Sequence, residues 1–134
     1  MFERIDHVGI AVSDLDAALE LYDGRFEMEL IHREVIDEQG VEAAMLEVGD
    51  GCVELLAPTA SDTPLARFLA SRGPGMHHVA YAVSDIDAAL ASLRERAFRV
   101  IDDVPRAGMR SSRGAFLDPR SCGGVLTEIV EPAS

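Results

Sequence analysis

The chain repeats itself. Residues 7–19, HVGIAVSDLDAAL, and residues 78–90, HVAYAVSDIDAAL, agree at ten of thirteen positions with an offset of 71. Self-similarity at that spacing constrains the architecture more than any single residue does. Each copy starts with the alternation of a half-buried strand and then changes to helical period. Ser13 and Ser84 stand where a helix N-cap belongs, ahead of Asp14-Leu15-Asp16 and Asp85-Ile86-Asp87. Acids in the first turn suit the positive end of a helix.

The later parts repeat more loosely. CVELLAP (52–58) and LTEIVEP (126–132) are both apolar strands with one acid inside, Glu54 and Glu128, and a proline at the exit. Further strands are expected at 28–36 and 41–48 in the first half, and at 98–102 and 113–117 in the second. Each half therefore reads β-α-β-β-β. The expected fold is α+β, with two tandem βαβββ modules. Neither half can bury a sheet face alone, so the 134 residues are expected to form one domain. Module one spans about 1–59, a connector about 60–74 and module two about 75–134. In the connector, Asp62 is expected to cap a short helix over 63–71 that Gly73-Pro74-Gly75 ends.

Strand parity then sorts the side chains. His7, Gly9 and Ala11 share one face, and His78, Ala80 and Ala82 share the matching one. The bulky opposite faces are expected under the helices, leaving space beside each histidine. His77 points away from His78 and is expected to be structural. Glu54 and Glu128 each sit alone in an apolar strand, where an unpartnered buried carboxylate is costly. Because the two halves carry these residues at equivalent places, His7, Glu54, His78 and Glu128 are read together as a metal site. Two imidazoles and two carboxylates suit a divalent Co, Mn, Ni, Zn or Fe ion, with positions left for water or substrate.

Acids outnumber bases 24 to 12, and every base is Arg. A net charge of -12 argues against nucleic-acid binding. No apolar run is long enough to span a membrane, and the acidic N-terminus does not read as a signal peptide, so a cytoplasmic protein is expected. Cys52 and Cys122 are expected to be reduced. Three arginines, Arg106, Arg110 and Arg113, fall between 106 and 115 without an acid, followed by Arg120. With Gly108 and Gly114 nearby, the stretch reads as a flexible loop able to meet phosphates.

The segments IDHVGIAV (5–12), HREVIDEQGV (32–41), VELLAP (53–58), GMHHVAYAV (75–83) and CGGVLTEIV (122–130) resemble the vicinal oxygen chelate superfamily, and within it the methylmalonyl-CoA epimerase family. The resemblance covers essentially the whole chain. It implies paired βαβββ modules forming a cupped mixed sheet around a metal site, metal ligands at His7, Glu54, His78 and Glu128, an acyl-CoA substrate and a homodimer. The implied reaction exchanges (R)- and (S)-methylmalonyl-CoA through an enolate, with Glu54 and Glu128 as the candidate proton carriers and Arg106, Arg110 and Arg113 near the CoA phosphates. Some relatives place a catalytic Glu two residues after EQGV, where this chain has Ala43; Glu42 beside it faces the other way. Asp118 stands where relatives often carry His. Rival readings are a glyoxalase-like lyase or isomerase acting on a thiol adduct, a ring-cleaving dioxygenase, which four protein ligands would crowd, and a non-enzymatic small-molecule binder.

Overall fold

The computed structural model describes residues 1–133. Module one supplies β1 (Arg4–Ala11), α1 (Leu15–Leu19), β2 (Glu29–Ile36), β3 (Val41–Val48) and β4 (Gly51–Pro58). Helix α2 (Pro64–Arg72) follows. Module two supplies β5 (Gly75–Ala82), α3 (Ile86–Glu95), β6 (Arg106–Ala107), β7 (Arg113–Leu117) and β8 (Thr127–Glu131). The βαβββ order holds twice, in a mixed α+β fold.

The chain divides into two compact units, and their boundaries fall inside strands. One unit is Val8–His77; the other joins Met1–His7 to the chain from His78 onward. In the first, the strands run β2-β3-β4-β1. In the second they run β1-β5-β8-β7-β6, with β5 and β8 parallel and β7 antiparallel to β8.

The helices start one residue later than the serines suggest. Asp14 Oδ1 accepts from the Ala17 amide at 3.1 Å, and Asp85 Oδ1 from the Ala88 amide at 3.0 Å. Ser13 and Ser84 therefore precede the caps, because the extended residue whose carboxylate reaches the free amide is the aspartate. Similarly, Thr63 rather than Asp62 caps α2, accepting from Ala66 N at 3.1 Å, with Pro64 in the first turn. After α1 the chain widens into a π-helical turn over Glu20–Arg25, closed by Phe26 N donating to Leu21 O.

Each unit has its own core beneath its helix. In the Val8–His77 unit, Val12, Leu15, Ala44, Leu46, Leu55 and Ala57 pack together. In the other, Ile86, Ala89, Leu90 and Leu93 of α3 cover Ala115, Leu117 and Ile129. The expected strand at 98–102 is reduced to a single bridge, Val100 to Leu117. The Asp102 carboxylate takes the Phe116 amide at 2.9 Å, removing a donor the ladder would need. Strand β6 forms farther on instead, with Arg106 opposite Gly114.

The faces of β1 and β5 meet the expectation only in part. The small residues Ala11, Ala80 and Ala82 are fully buried, while Val8, Ile10, Val79 and Tyr81 are half-buried. Ile10 of β1 packs against the core that contains Leu15 of α1, and Val12 and Val83, just past β1 and β5, join the two helix-covered cores. Among the described residues, no helix is long and apolar enough to cross a membrane.

Candidate metal centre

Strand register assembles the centre. In β5 and β8, Ala80 lies beside Glu128, which puts Glu128 on the His78 face. In β7 and β8, Phe116 lies opposite Glu128, and its ring meets that of His78 edge-on at 5.2 Å. His7 enters from β1. Its Nε2 is 3.0 Å from His78 Nε2 and 3.2 Å from Glu128 Oε1; His78 Nε2 is 3.5 Å from the same oxygen. Both histidines are buried.

His7 is held from behind. Its Nδ1 lies 2.8 Å from Asp6 Oδ2. A carboxylate can only accept, so Nδ1 carries a proton, and Nε2 is the ring atom turned toward His78 and Glu128. The His7 hydrogen bond lowers the Asp6 pKa against the opposing effect of burial, and Arg4 adds to the lowering. A carboxylate behind a histidine is a recurrent device for orienting a metal ligand.

Burial works against ionisation of Glu128. The two imidazoles overcome it by hydrogen bonding, so its carboxyl titrates at about 2 instead of 4.5. Space for it comes from Gly114, where a Cβ would lie 2.8 Å from Glu128 Oε2. Gly114 is thus a strand residue with a steric role, and not the loop residue expected from its neighbours.

Three electron-pair donors converge here. Ligands at ~2.1 Å set at right angles would be ~3.0 Å apart, and tetrahedral ones ~3.4 Å. Separations of 3.0, 3.2 and 3.5 Å therefore suit ligand atoms around one metal ion, on two buried histidines and a half-buried Glu128. Glu54 is buried in β4, opposite Met45 of β3 and on the face away from α1.

The remaining residues fall as follows. His77 packs edge-on against Phe68 at 4.8 Å. Cys52 and Cys122 are free thiols. Glu42 is turned to the α1 side, where Arg33 bridges it and Asp16 at 3.1 and 2.9 Å. Arg106 is in β6 on the Gly114 face, its Nε 3.2 Å from Asp102. Arg110 is exposed at the hairpin turn in left-handed backbone. Arg113 begins β7 on the opposite face and pairs with Asp87 and Glu131. The arginine stretch is thus a short hairpin and not a flexible loop. Asp118 holds Arg120 at 2.7 Å, and the Arg120 hydrogen bonds lower its carboxyl to about 2.

Residues 6–116 match the model of the glyoxalase/bleomycin resistance protein/dioxygenase superfamily. The chain belongs to this superfamily, and within it to the methylmalonyl-CoA epimerase family. It is 34% identical over 132 residues to the ethylmalonyl-CoA/methylmalonyl-CoA epimerase of Cereibacter sphaeroides, covering 96% of this chain and 98% of that one. It is 35% identical over 127 residues to the mitochondrial methylmalonyl-CoA epimerase of Bos taurus, covering 94% of this chain and 73% of that one. Among solved structures, a methylmalonyl-CoA epimerase in complex with methylmalonyl-CoA and NH4+ superposes with a TM-score of 0.95 at 44% identity, over 100% of this chain and 97% of that one. A variant of the Streptomyces coelicolor epimerase in complex with 2-nitronate-propionyl-CoA gives 0.94 at 44% identity, over all of both chains.

Proposed function

We infer that the protein is a methylmalonyl-CoA epimerase, an isomerase exchanging the (R) and (S) forms of that thioester. The observation that carries this reading is the His7–His78–Glu128 group, its two histidines buried, in a chain 44% identical over its whole length to an epimerase whose structure contains methylmalonyl-CoA.

The ligand set proposed is His7, His78 and Glu128, with Glu54 as the fourth. Support for Glu54 comes from its burial and from its place in the repeat, equivalent to that of Glu128. A divalent Co, Mn, Ni, Zn or Fe ion bound there would supply Lewis-acid stabilisation of the enolate's negative charge. Asp6 keeps His7 in the tautomer that offers Nε2. Glu54 and Glu128 are the proposed proton carriers. One carboxylate oxygen takes the α-proton, whose C–H bonding pair passes into the enolate, and the other acid returns a proton to the opposite face.

The CoA phosphates are assigned to Arg106, Arg110 and Arg113. Arg113 would exchange Asp87 and Glu131 for phosphate, and Arg110 at the hairpin tip is exposed to it. We place the protein in the cytoplasm as a homodimer, an assembly that light scattering would test.

The decisive experiment is proton NMR of methylmalonyl-CoA in D2O with metal-loaded protein. The expected result is loss of the α-proton signal together with racemisation. Turnover of glutathione hemithioacetals without α-proton exchange would overturn the reading in favour of a glyoxalase-like enzyme.

A further inference from the structure

In the unit that joins Met1–His7 to the chain from His78 onward, one row of side chains crosses β5, β8 and β7. Ala80 pairs with Glu128, and Glu128 pairs with Phe116. Paired residues point to the same side of a sheet, so Phe116 shares the face of Glu128 and His78. The next row on that face is Ala82, Val130 and Gly114. Ala80, Ala82 and Val130 are buried, and Gly114 has no side chain. Phe116 is half-buried, so it is the apolar side chain of these two rows with surface left to offer.

Phe116 is also held in place. Its amide donates to Asp102 Oδ2 at 2.9 Å, and its carbonyl accepts from the Ile101 amide at 2.8 Å. Its ring stands edge-on to the His78 ring, with centroids 5.2 Å apart and planes at 88°. A ring tied at the backbone and packed on a buried histidine does not swing aside for a larger neighbour.

We propose that Phe116 is a specificity-determining residue, whose ring packs on the α-substituent of the substrate and limits it to a short alkyl group. The proposal rests on the epimerase reading, in which Glu128 meets the α-carbon. A carboxylate that exchanges a proton with that carbon lies ~3 Å from it. Directly opposed side chains start ~5 Å apart at Cβ, a gap that a phenyl ring spans. The group carried by the α-carbon therefore falls against Phe116. The ring offers it apolar contact and no hydrogen bond, which suits a methyl group and disfavours a polar substituent. The substrate class is thus a malonyl thioester with one small α-alkyl group.

Malonyl-CoA, methylmalonyl-CoA and ethylmalonyl-CoA differ only in that substituent. Deuterium uptake at the α-carbon in D2O gives kcat/KM for each with metal-loaded protein. In Phe116→Ala the ethyl-to-methyl ratio should rise ~10-fold or more over wild type, because one methylene in an apolar pocket is worth ~10–200-fold. The methyl-to-malonyl ratio should fall, since the methyl group loses its contact. Phe116→Leu keeps an apolar side chain there, covers the case in which the alanine variant does not fold, and should raise the ethyl-to-methyl ratio at least threefold. A purely structural role for the ring would slow all three esters together and leave both ratios at their wild-type values. Metal content, measured alongside, separates a disturbed His78 from a changed specificity. An ethyl-to-methyl ratio within threefold of wild type in a folded, metal-replete variant overturns the proposal. If wild-type protein exchanges the α-proton of none of the three esters, the epimerase reading is what has failed.

Discussion

Gly114 gives Glu128 its room: a Cβ on residue 114 would stand 2.8 Å from Glu128 Oε2. The backbone of Gly114 is ordinary strand, so alanine there keeps the fold and displaces the carboxylate. Gly114→Ala is expected to weaken metal binding by ~10–100-fold, the range seen when a ligand loses its support. Chelator competition checks this, with circular dichroism as the control for folding.

Asp6 acts through His7. Asp6→Ala removes the acceptor of the Nδ1 proton, so the His7 ring loses its orientation and its preferred tautomer. Metal affinity should fall by ~10–100-fold while the KM for substrate changes little. Equal loss of kcat in the metal-saturated variant and in the wild type without metal would contradict an indirect role.

The sign of the acid response follows from Glu128. Its folded-state carboxyl sits at about 2, below the ordinary 4.5, so it stabilises the folded protein above pH ~4.5. That contribution is lost as pH falls from there toward 2. At 1.36 kcal/mol per pH unit it amounts to ~3 kcal/mol in metal-free protein. Urea denaturation of metal-free protein at pH 6 and pH 3 should show the loss, and Glu128→Gln should be the flatter of the two.

The hairpin arginines separate binding from turnover. Reversing charge at Arg110 should raise the KM for the CoA ester and leave that for a truncated thioester unchanged. Arg113→Glu also meets Asp87 and Glu131, two like charges, and is expected to lower the melting temperature. A KM unchanged by both reversals removes these residues from the substrate site.

The repeat made most of this legible in advance. It paired His7 with His78 and Glu54 with Glu128, and the register brings His7, His78 and Glu128 together. Local chemistry was less readable. Ser13 and Asp14 are both good caps, and only the backbone decides which oxygen meets the Ala17 amide. The 98–102 strand was lost to a tertiary hydrogen bond from the Asp102 side chain, which no period in the sequence reports. A bulge in β2 between Leu30 and His32 was equally hidden, because alternation in HREVI fixes which residues share a face but not which face it is. The space at Gly114 has no sequence signal beyond the glycine itself.

The strand boundaries of the two units have a further consequence. Met1–His7 belongs with the later half, and the start of β5 up to His77 belongs with the earlier one. Under the offset of 71, these are the same piece of each repeat, lent in both directions. A chain cut in the connector would give two fragments that each carry the first part of a strand counted with the other unit. Neither could close alone, and co-expression would be needed to restore both, as in a domain-swapped pair. The duplication is thus reciprocal as well as tandem, with the exchange made permanent by the peptide between the copies.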